Sequence, residues 1–246
     1  DQISRFFLDR MVGSEATGVF SASYKLGMFM ALVVAAFRFA WHPFFLSTAE
    51  QKDAKQVYGR VLTYFILVTG FFYLVISFFI YEIVNLSLFG FTLIGSEYIP
   101  GIPIVPVVML AYIAYGIYIN FIVGIYLRKK TTFLPLITGI GAVVSVCCNF
   151  LLIPAYTIFG AAWATVCAYS SMAAALFIFT RKLYPVPYEW KRIAKAAVGI
   201  GVIYYAGTHI AAGTSILVRT GILVSFVPLL FLLRFFREDE KHYIKY

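Results

Sequence analysis

The sequence predicts an all-α fold, a polytopic bundle of transmembrane helices. The chain of 246 residues is 62% hydrophobic and 13% charged, with a mean hydropathy of +0.88, far from the composition of soluble globular domains. Its apolar residues gather into runs of about 20, the length that crosses about 30 Å of hydrocarbon. Its cations gather in alternate gaps between those runs, the pattern of a chain threaded back and forth through a bilayer.

The elements follow in order. Residues 1–12 read as the end of one helix, too short to span. Full spans are expected near 18–47, 57–88, 104–127, 132–153, 159–183, 191–210 and 214–236. Pro100, Pro103 and Pro106 fall in the loop before the third span and at its start, where a missing N–H costs least. Pro135 opens the fourth span and Pro154 closes it. Pro185 and Pro187 occupy a long loop before the sixth, and Pro228 lies inside the seventh, where it should kink the helix.

Charge fixes an orientation. Lys52, Lys55 and Arg60 follow the first full span; Arg128, Lys129 and Lys130 follow the third. Arg181, Lys182, Lys191, Arg192 and Lys195 follow the fifth, and Arg234, Arg237, Lys241 and Lys245 end the chain. The intervening gaps 89–103, 154–158 and 211–213 hold no Lys or Arg. Fifteen of the 20 cations thus share one face, read as cytoplasmic, with the C-terminus inside. The net charge of +9 is split among short loops bordering the bilayer, so anionic lipid head groups are its expected counter-charge and a nucleic-acid partner is excluded. The chain starts at Asp1 with a stub of helix, so it is expected to be a piece of a larger parent.

Neither metal nor cofactor chemistry is expected. Cys147, Cys148 and Cys167 lie inside apolar spans without ligand spacing, and His42, His209 and His242 are far apart. Tyr184, Tyr188, Trp190 and Trp41 fit interfacial anchors. Gly139, Gly141, Gly160, Ala161, Ala162, Ala164 and Ala173–Ala175 are expected to let helices pack closely.

Five cations remain outside the loops: Arg5, Arg10, Lys25, Arg38 and Arg219. Ionised groups at membrane depth cost about 2.5–3.5 kcal/mol on insertion scales, so they face a protein interior or a wet cavity unless they snorkel. Asp1, Arg5 and Asp9 recur at i, i+4, i+8 on one helix face, as a self-neutralising ladder or as the wall of a polar cavity. Lys25 and Arg38 stand roughly 20 Å apart along a helix and are expected to line one side of a cavity at two depths, snorkelling being the alternative. Arg219, near the outer end of the last span, is expected to snorkel. A cationic cavity suits an anionic substrate, because Arg presents a planar fork to phosphate oxygens and Lys a mobile point charge. The candidate substrate-binding residues are therefore Arg5, Asp9, Lys25 and Arg38.

Two stretches carry a family resemblance. Cys148–Pro154 followed by Phe159–Thr165 resembles the "N-x-x-L-I-P … G-A-A-x-A-T" signature of polysaccharide-export flippases. These belong to the multidrug/oligosaccharidyl-lipid/polysaccharide (MOP) exporter superfamily. Gly13, Gly18, Ser21, Tyr24, Lys25 and Leu26 resemble that family's entry into its eighth helix, and Pro43 resembles the proline that ends it. The turn Arg128–Thr131 looks like the family's inner loop before the signature helix.

The resemblance implies the carboxy-terminal lobe of a two-lobed, alternating-access transporter. Residues 1–185 would form that lobe, and 186–246 two additional helices with a basic cytoplasmic tail. It implies a substrate, an undecaprenyl-pyrophosphate-linked saccharide, moved across a bacterial inner membrane. It also implies partners: an amino-terminal lobe of the same chain and glycan-assembly membrane proteins. Two readings compete. A cation or drug antiporter of the same superfamily would expose carboxylates to its cavity, and Glu82 is the main span carboxylate beyond Asp9. A membrane enzyme acting on glycolipids would need a placed base or nucleophile; His42 and His209 fall on opposite sides of the membrane.

Overall fold

The computed structural model describes residues 2–85, 87–88, 91–92, 95–210 and 214–236. Asp1, His242 and the tail cations Arg237, Lys241 and Lys245 lie outside the described residues.

The fold is an all-α bundle. Its elements are α1 (Gln2–Met11), α2 (Ser14–Gly27), α3 (Phe29–Thr48), α4 (Ala54–Asn85), α5 (Val105–Phe121), α6 (Val123–Leu127), α7 (Leu134–Leu183), α8 (Trp190–Tyr205), α9 (Ile216–Val224) and α10 (Phe226–Leu232). Strand structure among the described residues is one pair of two-residue strands, Ser87–Leu88 and Phe91–Thr92. Five helical segments are long and apolar enough to cross a membrane: Phe29–Thr48, Ala54–Asn85, Ser96–Leu127, Thr131–Leu183 and Trp190–Ile210. The predicted spans fall on these segments and the apolar stretch Ile216–Leu232, except that the span expected near 18–47 is divided at Met28 into α2 and α3.

Where elements start and bend follows from local chemistry. Gly13, at φ 120° in the left-handed region that glycine favours, turns α1 into α2. Its carbonyl accepts the Thr17 hydroxyl at 3.0 Å. A 3₁₀ turn over Ser96–Ile104 holds Pro100 and Pro103 and leads into α5, with Pro106 at the helix start. Pro135 likewise opens α7. At 50 residues α7 is two legs, folded back at Thr157, whose φ of 49° and ψ of −121° leave helical space. Pro154 lies inside the first leg, three residues before that fold, so it marks the fourth span's end without closing the helix at itself. The last span breaks between α9 and α10 at Ser225. Pro228 lacks the N–H that would bond the Val224 carbonyl, so the break sits where the proline predicts it.

One expectation about proline fails. Pro43 does not end its helix, because α3 continues through it to Thr48. The carbonyl left without its N–H partner is that of Phe39, a residue 82% exposed on the outer side of α3. A proline on a surface face bends a helix more readily than it stops one.

The most extensive packing joins α5 to α7, with α1 against α7 and α2 against α5. Small residues let the two legs of α7 approach closely, since a Cβ at Gly141 would run into Met172 and one at Gly160 into the Leu152 carbonyl. Gly141, Gly160, Ala161, Ala162, Ala164 and Ala173 are buried. Gly139 is not a packing residue: it is exposed and a Cβ there would meet nothing within 4 Å. The buried threonine hydroxyls of Thr69, Thr165 and Thr180 are satisfied within their own helices, donating to carbonyls four residues back at 2.7, 3.1 and 2.8 Å.

Trp41 is not an interfacial anchor. It is 2% exposed and sits among Phe37, Phe44, Phe45 and Tyr58, at ring separations of 5.6, 5.8, 5.8 and 5.7 Å. The Tyr58 hydroxyl donates to the Phe45 carbonyl at 2.7 Å, which ties the end of α3 to the start of α4. Aromatic packing decides the position of this tryptophan.

Candidate functional site

The interior of the bundle carries a seam of phenols. Tyr112, Tyr115 and Tyr118 recur every three residues along α5 and so follow one side of that helix. Tyr24 of α2 lies 6.1 Å from Tyr112, ring centre to ring centre, and interacts with it through its hydroxyl. Tyr169, on the second leg of α7, lies 6.3 Å from Tyr112 and 5.2 Å from Tyr115. Tyr115 stacks on Tyr118 at 5.9 Å. Five phenols from three helices thus form one connected row.

A cation marks each end. Arg5 of α1 is close enough for its charge to act on the Tyr24 phenol. Arg38 of α3 acts in the same way on Tyr118. Tyr24 and Arg38 are 14 residues apart along α2–α3, about 21 Å at helical rise. Tyr24 and Tyr118 are buried, at 1% and 6% exposure, so the groups able to meet a polar ligand are the half-buried Tyr112, Tyr115 and Tyr169 and the two guanidinium groups, which suit hydroxyl-bearing rings and phosphate oxygens respectively.

The sequence-predicted residues divide on this geometry. Arg5, half-buried, and Arg38, exposed at the α3 edge beside α5, belong to the seam. Lys25 is exposed on an outward stripe with Phe29, Leu32 and Phe39, and Asp9 is exposed on α1. Lys25 and Arg38 do not line one side of a cavity. Thirteen residues of α-helix leave about 220° beyond whole turns, so the two side chains diverge by about 140°. A break at Met28 also separates their helices.

Arg219 is not a snorkelling residue. Its Nη1 pairs with Glu82 Oε1 at 2.8 Å and donates to the Phe78 carbonyl at 3.0 Å, while Nη2 donates to the Thr214 carbonyl at 3.3 Å. The pair borders a cavity of about 410 Å³ walled by α4, α5, α8 and the π-turn Ala206–Ile210, with Ser77, Tyr204 and Thr208 adding hydroxyls. Glu82 lies 137 positions from Arg219, so no local spacing signals the partnership. The tyrosine row left a visible trace, the three-residue recurrence in α5; its partners Tyr24 and Tyr169 come from other helices.

The opposite end of α4 carries a second polar joint. Glu189 Oε2 accepts the Thr63 hydroxyl at 2.9 Å and the Arg192 guanidinium at 2.8 Å. Arg192 also donates through Nε to the Phe235 carbonyl at 3.0 Å and stacks over the Phe235 ring at 4.8 Å. Nearby, burial pushes the Tyr184 phenol above its ordinary range, against the opposing charge of Arg128. The histidines stay apart: His42 packs on Phe45 and Tyr126, His209 on Tyr205. Among the described residues no group of three metal-ligating side chains gathers.

The fold and its apolar spans define a helical bundle of membrane type. The chain matches no protein-family model, no curated protein and no solved structure.

Proposed function

We propose that the chain is a lobe of a membrane transporter that moves an anionic, lipid-linked saccharide between leaflets. The observation that carries this reading is the tyrosine row between Arg5 and Arg38. Guanidinium groups suit the pyrophosphate, phenols suit the saccharide, and the surrounding lipid takes the prenyl tail. The MOP-type flippase resemblance supplies the specific form: an undecaprenyl-pyrophosphate saccharide carried outward across a bacterial inner membrane, with an amino-terminal lobe closing the cavity. Outward movement of an anion also runs with an inside-negative potential, at about 2.3 kcal/mol per charge per 100 mV. Arg5 and Arg38 bind the phosphates in this reading; Asp9 and Lys25, exposed outside the row, would meet the substrate only through the second lobe.

One observation favours the antiporter reading instead. Glu82 presents a carboxylate beside a cavity, although Arg219 already neutralises it.

Binding separates the two. Purified protein titrated with a fluorescent polyprenyl pyrophosphate should bind it saturably. Arg5→Gln and Arg38→Gln should each weaken that binding about tenfold, the scale of a lost charge-assisted hydrogen bond. A neutral polyprenol probe should show no such loss. Undiminished pyrophosphate binding in folded variants would remove the arginines from the site and the flippase reading with them.

A further inference from the structure

A recess opens beside the first turn of α4, at the end of the bundle that carries most of the cations. Lys52, Lys55 and Gln56 form one wall and Pro185, Val186 and Pro187 the other, around a volume of about 430 Å³. The walls are held in place. Gly59, one turn into α4, lies so close to the Pro187 backbone that a Cβ there would run into the Pro187 carbonyl. The Tyr188 amide donates to the Val186 carbonyl at 3.0 Å, which shapes the opposite strand of the recess.

Among the described residues neither Lys52 nor Lys55 has a carboxylate partner. The Lys55 ammonium sits 4.9 Å from the centre of the Tyr184 ring, and the Arg128 guanidinium lies 5.9 Å from the same centre. Two cations from separate segments therefore crowd one ring without an anion between them. Glu50 and Asp53 are exposed and do not line the recess. The start of a 32-residue helix adds partial positive charge to the same spot.

We propose that this recess binds the phosphate group of an anionic phospholipid. The Lys52 and Lys55 ammonium groups and the Gln56 amide are donors for phosphate oxygens. Val186 and the two proline rings offer an apolar wall beside the glycerol and the first methylenes. A lipid-borne phosphate fits better than a free one because the recess lies where α4 enters its apolar stretch, at head-group depth. The site stands whether or not the chain moves glycolipid, since it shares no residue with the tyrosine row.

The test uses the protein in lipid nanodiscs and a fluorescent phosphatidylglycerol at about 0.15 M salt, where diffuse surface attraction is screened beyond about 8 Å. Wild type should retain phosphatidylglycerol in preference to phosphatidylcholine. The Lys52→Gln/Lys55→Gln double variant should lose about thirtyfold in affinity, the scale of two juxtamembrane lysines. Lys182→Gln, which removes a cation on the same side outside the recess, should leave affinity and preference intact. An equal loss from Lys182→Gln, or no preference in wild type, would overturn the site in favour of a diffuse basic surface. Displacement of the lipid by inorganic phosphate at matched concentration would overturn the lipid assignment. Thermal unfolding of each variant shows that the lysines act on binding and not on folding.

Discussion

Gly160→Val is expected to abolish most folded protein. Gly160 opens the second leg of α7 just past the fold at Thr157, and the first leg returns directly over it. A Cβ there would meet the Leu152 carbonyl and the Ile153 amide, which are backbone atoms that cannot rotate aside. Relief would require the two legs to separate, disturbing the buried run Ala161, Ala162 and Ala164 beside α5. The expected loss is about 3 kcal/mol, the upper range of overpacking. It should be read as a fall in monodisperse yield and in melting temperature. Gly139→Val is the matched comparison, because open space surrounds that glycine, and it should leave both unchanged. If both substitutions were tolerated, the hairpin of α7 would be wrong.

Breaking the Glu82–Arg219 pair is the second large effect. The side chains are 30% and 20% exposed, between the extremes of a surface pair at under about 1 kcal/mol and a buried one at about 3–5 kcal/mol. Arg219→Leu leaves the Glu82 carboxylate without its cation, and Glu82→Leu leaves the guanidinium with only the Phe78 and Thr214 carbonyls as acceptors. Each single change should cost about 2 kcal/mol. The double Glu82→Leu/Arg219→Leu variant should cost less than the sum, because neither charge is then stranded. Additive losses would mean that the two residues do not interact.

Much of the fold was legible because lipid imposes a coarse rule. Apolar runs of spanning length located the long helices, and Pro135, Pro106 and Pro228 sat where the structure opens or breaks helices. Glycine and alanine between 141 and 173 announced close helix packing, and Gly141 and Gly160 sit where the two legs of α7 meet. What stayed hidden depends on partners distant in sequence. Arg219 looked like a lone cation near a membrane surface, and only folding brings Glu82 to it. Trp41 has the composition of an anchor, but four neighbouring aromatic rings bury it. The divergence of Lys25 and Arg38 was legible in the spacing itself, since thirteen residues do not close a whole number of helical turns. The tyrosine row was half legible: its α5 members recur in sequence, while Tyr24 and Tyr169 join them only in the packed bundle.

Transport tests the central claim most directly. The protein in its natural full-length form would be reconstituted in liposomes with an inside-negative potential. Movement of a fluorescent prenyl-pyrophosphate saccharide to the outer leaflet would be followed for wild type and for Arg5→Gln/Arg38→Gln. The account predicts movement by wild type and its collapse in the double variant, with melting temperature unchanged. Movement of an organic cation in place of the glycolipid, or glycolipid movement indifferent to both arginines, would contradict it.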